Sequence, residues 1–169
     1  YAQKMAGLIP EPNPNILGLS FGGMVAVELA KLMPVRQTIV VSSAKSRREL
    51  PDFDGTLKFF IQHNLIPYGL FKKPNAILYD RFGAENDDDK NILKLIMKDT
   101  DTHFLGWAFK AILNWKNIIV PPKIIHIHGT ADKVIPPNNI TANYWINNGS
   151  HMMMYNRAKD INEIIALHL

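Results

Sequence analysis

The sequence contains no cysteine, so it can form no disulfide framework and carry out no thiol catalysis. It also lacks an uninterrupted run of about 18 apolar residues, the least a membrane-spanning helix requires, and no span is expected. Basic residues outnumber acidic ones, 19 to 15, but they are scattered, and Lys45, Arg47 and Arg48 are the nearest thing to a cluster. Without aromatic residues interleaved among basic ones, that charge reads as solvated surface, and no nucleic-acid partner is expected. The first residues do not read as a signal peptide. The chain opens on Tyr1 instead of methionine, and residues 1–9 read as the tail of a helix closed by Pro10. A cytoplasmic protein with further sequence upstream is the expectation.

What is present is enough for one domain with a core: 169 residues, 47% of them hydrophobic. The most informative stretch runs from Asn15 to Met24. Ile16-Leu17-Gly18-Leu19 is apolar without alternation and follows the turn formers Pro12, Pro14 and Asn15, which predicts a buried strand. From Met24, apolar residues recur at helical spacing up to Pro34. A strand therefore meets a helix with almost no loop, and Gly18-x-Ser20-x-Gly22 stands at the junction. That is the pattern of a nucleophile elbow. The sharp turn forces Ser20 into strained backbone and brings neighbouring chain close, so Gly18, Gly22 and Gly23 are expected where a larger side chain would obstruct. The helix N-terminus aims its free N–H groups at any oxyanion formed on Ser20.

Thr38 to Ser43 is a second buried run, and strand, helix, strand at this spacing predicts a parallel βαβ unit. Ser42 and Ser43 read as strand-end turn residues. From Ser46 to about Asp101 no buried strand occurs. Short amphipathic pieces are broken by Pro51, Pro67, Pro74 and Gly83, and carry three apolar clusters. These are Leu57, Phe59, Phe60, Ile61 and Leu65; then Leu70, Phe71, Ile77, Leu78, Tyr79 and Phe82; then Ile92 to Met97 after the acidic Asp87-Asp88-Asp89. Residues 46–101 are thus read as a helical lid whose aromatic residues could line an acyl pocket, and 1–45 with 102–169 as the body. Thr102 to Lys116 predicts a helix returning to that body. Lys123 to Gly129 predicts a third buried strand, with His126 a core residue among isoleucines and His128 a rim candidate behind the site. A last strand, Ala142 to Ile146, and a single helix over Met152 to Leu167 complete the chain. Between Asp132 and Ala142 there is no room for a full helix.

Serine hydrolysis needs a base to take the hydroxyl proton, an acid to fix that base, and donors for the oxyanion. Ser20, Asp132 and His151 fall at the ends of three predicted strands in the order Ser, Asp, His, which is the order expected after such an elbow. The rivals Asp99, Asp101 and His103 lie outside any strand end. In Gly18-Leu19-Ser20-Phe21-Gly22-Gly23, in His128 to Pro136 around Asp132, and in Asn148-Gly149-Ser150-His151, the sequence resembles the α/β-hydrolase superfamily over essentially its whole length. The resemblance implies an α/β fold with a mostly parallel sheet flanked by helices and a helical lid insertion. It implies Ser20 as nucleophile, His151 as general base and acid, Asp132 as its orienter and the Phe21 backbone N–H as an oxyanion donor, with no metal or cofactor. The implied activity is a serine hydrolase cleaving an ester or similar carbonyl substrate with a small hydrophobic acyl group. The same triad also occurs in carbon–carbon bond hydrolases, lyases and cofactor-free haloperoxidases, and the fold in non-catalytic binding proteins. The N-terminal strands of the fold, with the loop that supplies a second oxyanion donor, have no counterpart here. The elbow strand is therefore expected at an exposed edge that favours pairing into a homo-oligomer.

Overall fold

The computed structural model describes residues 1–169, the side chains of Leu70 and Phe71 excepted, so their place in the second apolar cluster lies outside the described residues. After a short helix α1 (Ala2–Ala6), strand β1 (Asn15–Leu19) runs directly into α2 (Phe21–Leu32). Met33 ends α2 in extended backbone, φ −145° and ψ 154°, as expected of a residue before proline. Strands β2 (Gln37–Val41), β3 (Ile124–Gly129) and β4 (Tyr144–Ile146) follow. The four strands pair in parallel in the order β1-β2-β3-β4, so the strand ends that carry the site residues share one rim.

Alternation along the strands divides the core into two layers. Ile39, Val41 and Ile127 pack with Ile146, Met153 and Ile161 on one face, while Val40 meets Ala26 and Val27 of α2 on the other. β3 follows this rule: Ile125 and Ile127 turn to the first layer, and His126, in register with Val40, turns to the second. His126 is fully buried, but it is set apart from the isoleucines that flank it in sequence.

Two expectations are corrected. β1 is not a buried strand: Leu17 and Leu19 are 48% and 42% exposed. They pair with Ile39 and Val41 and share their face, and β1 is the exposed sheet edge expected where the N-terminal strands of the fold have no counterpart. The last helix is two, α7 (Met153–Asn156) and α8 (Ala158–Ala166), broken at Arg157 (φ −126°, ψ 28°). The Asn156 side chain bonds the Gly83 carbonyl at 3.3 Å and Asp89 at 3.3 Å. These tertiary bonds hold the first piece to the insertion while α8 turns Ile161 to the sheet.

The insertion contains no strand among the described residues. It comprises α3 (Gly55–Gln62), a 3-10 turn at Tyr68–Lys72, α4 (Ala76–Phe82) and α5 (Asp87–Asp99). Asp54, Asn75 and Asn86 cap the three helices through their side chains, and Asp101 caps α6 (Thr102–Leu113), accepting from the Phe104 N–H. Between Asp132 and β4 only a 3-10 turn at Pro137–Asn139 forms.

Ile161 is fully buried, so Ile161→Ala should cost about 2–4 kcal/mol in urea unfolding. Leu17→Thr, at a half-exposed position of the edge strand, should change stability by under about 0.5 kcal/mol in the same titration.

Candidate active site

Ser20 joins β1 to α2 at φ 52° and ψ −122°, a conformation a side-chain-bearing residue adopts only at a cost of about 1–3 kcal/mol. Three bonds hold it there. Its N–H donates to the Val41 carbonyl (3.0 Å), and its carbonyl accepts from the Gly23 N–H (2.9 Å) and from the Ser43 hydroxyl (2.6 Å). A methyl group on Gly18 would lie 2.6 Å from the Gly23 Cα, and one on Gly23 would lie 2.5 Å from the Ser43 Cβ. Both positions therefore require glycine. Gly22 does not: a methyl there meets nothing within 4 Å, because it faces outward from the first turn of α2. Ser43, read from sequence as a turn residue, is fully buried and braces the elbow.

At the end of β3 the chain turns through Asp132. Its Oδ1 accepts from the Val134 and Ile135 N–H groups, each at 2.9 Å, and its Oδ2 lies 2.8 Å from His151 Nδ1. A carboxylate only accepts, so His151 Nδ1 carries the proton and Nε2 is left bare. That nitrogen lies 2.9 Å from Ser20 Oγ, in position to accept the hydroxyl proton. Three residues far apart in sequence, Ser20, Asp132 and His151, are thus brought into one hydrogen-bonded line. Phe21 leads α2, so its N–H is among those without an intrahelical acceptor and stands beside Ser20.

Burial alone would push the Asp132 carboxyl up. The hydrogen bond and charge of His151, with the Ile135 N–H, outweigh it and hold the group below its ordinary value. Behind Asp132, burial is also the main force on His126, with His128 and Lys45 adding to it, and lowers its pKa to about 3.

The insertion is fastened to the base loop. Gly83 closes α4 at φ 76°, and its carbonyl accepts from Ser150 Oγ at 3.4 Å as well as from Asn156. The Met152 N–H donates to the Phe82 carbonyl at 3.1 Å, and the Phe82 ring meets His151 edge-on, centroids 5.5 Å apart. Buried Asp89 receives the Glu85 N–H at 3.2 Å and ties α5 to the same corner. None of these partners was visible in sequence, where Gly83 signalled only a helix end.

An apolar cavity of about 270 Å³ lies among the insertion, α6 and the rim; its wall includes Phe82, Leu93, Met97, Leu105, Phe109 and Val134. Two of these touch the trio, Phe82 through His151 and Val134 through Asp132. The first apolar cluster of the insertion does not contribute. Phe59 and Phe60 are 54% and 43% exposed, because α3 turns Ile61 inward and presents these rings to solvent. On the other side of Ser20, Phe21 packs edge-on with Phe104 and Trp107 of α6. Among the described residues no three His, Asp or Glu side chains converge as a metal site, and no helix is long and apolar enough to cross a membrane.

No protein-family model matches the chain, and no curated protein matches it. Solved structures do. An alpha/beta hydrolase family protein from Desulfitobacterium hafniense superposes with a TM-score of 0.69 at 16% identity, covering 98% of this chain and 74% of that one. A lipase-esterase related protein from Clostridium acetobutylicum gives 0.67 at 18% identity, over 100% and 74%. An esterase from Exiguobacterium antarcticum gives 0.65 at 15% identity, over 97% and 69%. The chain therefore has the α/β-hydrolase fold, and it spans about 69–74% of the length of these structures.

Gly83→Ala would place a methyl group on the Ser150 side chain in backbone that disfavours it. It should cost about 1–3 kcal/mol, whereas Gly22→Ala should be neutral or stabilising by up to about 1 kcal/mol; thermal unfolding of the two variants checks this. The acid dependence of stability should have two parts. An unfolded histidine takes a proton near 6.5 and folded His126 only near 3. Below 6.5 the unfolded chain therefore holds the extra proton, and stability falls as pH falls. The Asp132 contribution is complete above the ordinary carboxylate value of about 3.9 and is lost as pH drops through its lower folded value. In urea titrations His126→Leu should reduce the slope of the first window, with buried His128, also held below its ordinary value by burial, keeping the remainder, and Asp132→Asn should flatten the second.

Proposed function

We propose that this chain, an α/β-hydrolase by fold, is a serine hydrolase that cleaves an ester or similar carbonyl substrate through an acyl-Ser20 intermediate. The observation that carries the reading is the continuous line from Ser20 Oγ to His151 Nε2 at 2.9 Å and from His151 Nδ1 to Asp132 Oδ2 at 2.8 Å. Ser20 Oγ attacks the substrate carbonyl while its proton passes to His151 Nε2. The imidazolium is held by the ionised Asp132 carboxylate, which stays charged and keeps its own proton count unchanged. The tetrahedral oxyanion takes the Phe21 N–H at the positive end of α2 as one donor. As the intermediate collapses, His151 returns the proton to the leaving oxygen and the alcohol departs. Water then enters, gives a proton to His151 and attacks the acyl carbon; the carboxylic acid leaves as Ser20 recovers its proton.

The apolar cavity supports a hydrophobic acyl group. Phe82 joins it to the base, and its lining offers few polar atoms to pair with a charged chain. At about 270 Å³ it is near the lower limit of ordinary ligand pockets, which favours short and medium acyl chains over long ones.

A fluorophosphonate probe should label Ser20, and labelling should vanish in Ser20→Ala. Asp132→Asn should keep the fold at neutral pH and lower kcat by about 10³–10⁴ with a small change in KM, because His151 is left in the wrong tautomer. Among p-nitrophenyl esters of graded length, kcat/KM should peak at short to medium chains. Absence of labelling in a folded sample with intact Ser20, together with no turnover of any ester in the series, would overturn the proposal.

A further inference from the structure

Behind Asp132 runs a second buried polar line that the steps above do not use. His126 and His128, alternate residues of β3, are both fully buried, with their rings edge to face at 5.2 Å. His126 Nε2 lies 3.2 Å from His128 Nδ1, and His128 Nε2 lies 3.0 Å from the Ile135 carbonyl. That same Nε2 is 3.9 Å from Asp132 Oδ2, the oxygen that receives His151. At the far end His126 Nδ1 has no hydrogen-bond partner among the described residues and stands 4.0 Å from Glu49 Oε2. The charged and titratable groups around the pair are Glu49 and Lys45 at His126, and Asp132, His151 and Glu49 at His128.

These distances determine the tautomers. A carbonyl only accepts, so His128 carries its proton on Nε2. Burial lowers both rings' affinity for a second proton, so His128 is neutral and its bare Nδ1 accepts from His126 Nε2–H. His126 Nδ1 is then left bare, although the Ser43 backbone also meets the ring. Packing alone does not require this arrangement, since apolar Val40 stands in register with His126 on the same face of the sheet. The opposite tautomer of His128 would aim a lone pair at both the Ile135 carbonyl and Asp132 Oδ2. The Ile135 carbonyl excludes that tautomer, and His126 completes the line by donating to the bare Nδ1.

We infer that His128, held in its Nε2–H tautomer by the Ile135 carbonyl and paired at Nδ1 by His126, is a positioning residue for Asp132. It clamps Ile135, whose N–H holds Asp132 Oδ1 at 2.9 Å, and presents an N–H dipole toward Oδ2, so the carboxylate is fixed from inside the sheet while His151 engages it from the rim. The inference rests on the reading of Ser20, His151 and Asp132 as the triad.

Nitrogen-15 NMR of the histidine-labelled full chain between pH 6 and 8 tests the first half. Both His126 and His128 should be neutral Nε2–H rings; an Nδ1–H or doubly protonated His128 would overturn the inference. The second half uses His128→Leu and His126→Leu. In both, the low-field Nδ1 proton that His151 shares with Asp132 should move upfield or broaden, and the fluorophosphonate labelling rate should fall by about tenfold to a hundredfold. His126→Gln, whose amide can still donate to His128, should restore both readouts. A folded His128→Leu with an unchanged His151 proton and labelling rate also overturns the inference. If the leucine variants do not fold, the wild-type tautomers decide it. If wild-type Ser20 does not label, the hydrolase reading fails, and the tautomers and the His151 proton still decide the relay.

Discussion

Ser20 occupies backbone at φ 52°, and the geometry of the site follows from what it takes to keep it there. A residue in that region springs back unless its surroundings over-determine it. Here the Val41 carbonyl, the Gly23 N–H and the Ser43 hydroxyl all engage the Ser20 peptide groups, while Gly18 and Gly23 let strand and helix approach closely enough for those bonds to form. The turn projects the hydroxyl above the rim instead of into the sheet. Once it stands there, the loops that follow β3 and β4 bring Asp132 and His151 into line with it.

The acid and the base are held by different means, and the difference is set by where each sits. Asp132 follows β3, which has a neighbouring strand on both sides. It is pinned by backbone N–H groups of its own turn, with buried His128 standing 3.9 Å behind it. His151 follows β4, an edge strand of three residues, where the sheet alone offers little. Its loop is steadied from above: Phe82 and Gly83 of the insertion bond the residues on either side of it, and the Phe82 ring closes against the imidazole. A displacement of α4 would thus move His151 before it moved Asp132, so the insertion is mechanically part of the Ser20–His151–Asp132 line.

Local chemistry made the trio legible, and tertiary partners hid the rest. The order Ser20, Asp132, His151 at strand ends could be read because strand, turn and helix signals are short-range. The buried character of Ile16 to Leu19 misled because composition reports what a strand could bury, whereas burial depends on which neighbours it has. The glycines looked alike in sequence, yet Gly18 and Gly23 are in close contact and Gly22 faces open space, a distinction set by chain that arrives from elsewhere. Ser43 reads as a turn residue until Gly23 and the Ser20 carbonyl are placed beside it. Phe59 and Phe60 looked like pocket residues because apolar periodicity does not say which face of α3 is turned inward. The α7–α8 break has no local signal either, since Asn156 becomes meaningful only with Gly83 and Asp89 against it.

The elbow also stands at the outer edge of the sheet, and this changes how its rigidity is distributed. Ser20 and β1 are braced by β2 on one side only, and Leu17 and Leu19 continue the apolar face of Ile39 and Val41 past the cover that Met153 and Ile161 provide. Backbone strain at Ser20 is therefore resisted chiefly through Val41 and Ser43, both of β2 or its immediate end, and through the first turn of α2. Any loosening between β1 and β2 would relax Ser20 toward ordinary backbone and withdraw its hydroxyl from His151, while the bond between His151 and Asp132, carried by β3, β4 and the insertion, would persist. Of the two hydrogen bonds in the line, the one to the serine is the mechanically weaker, and it is the one on which the proposed reaction would begin.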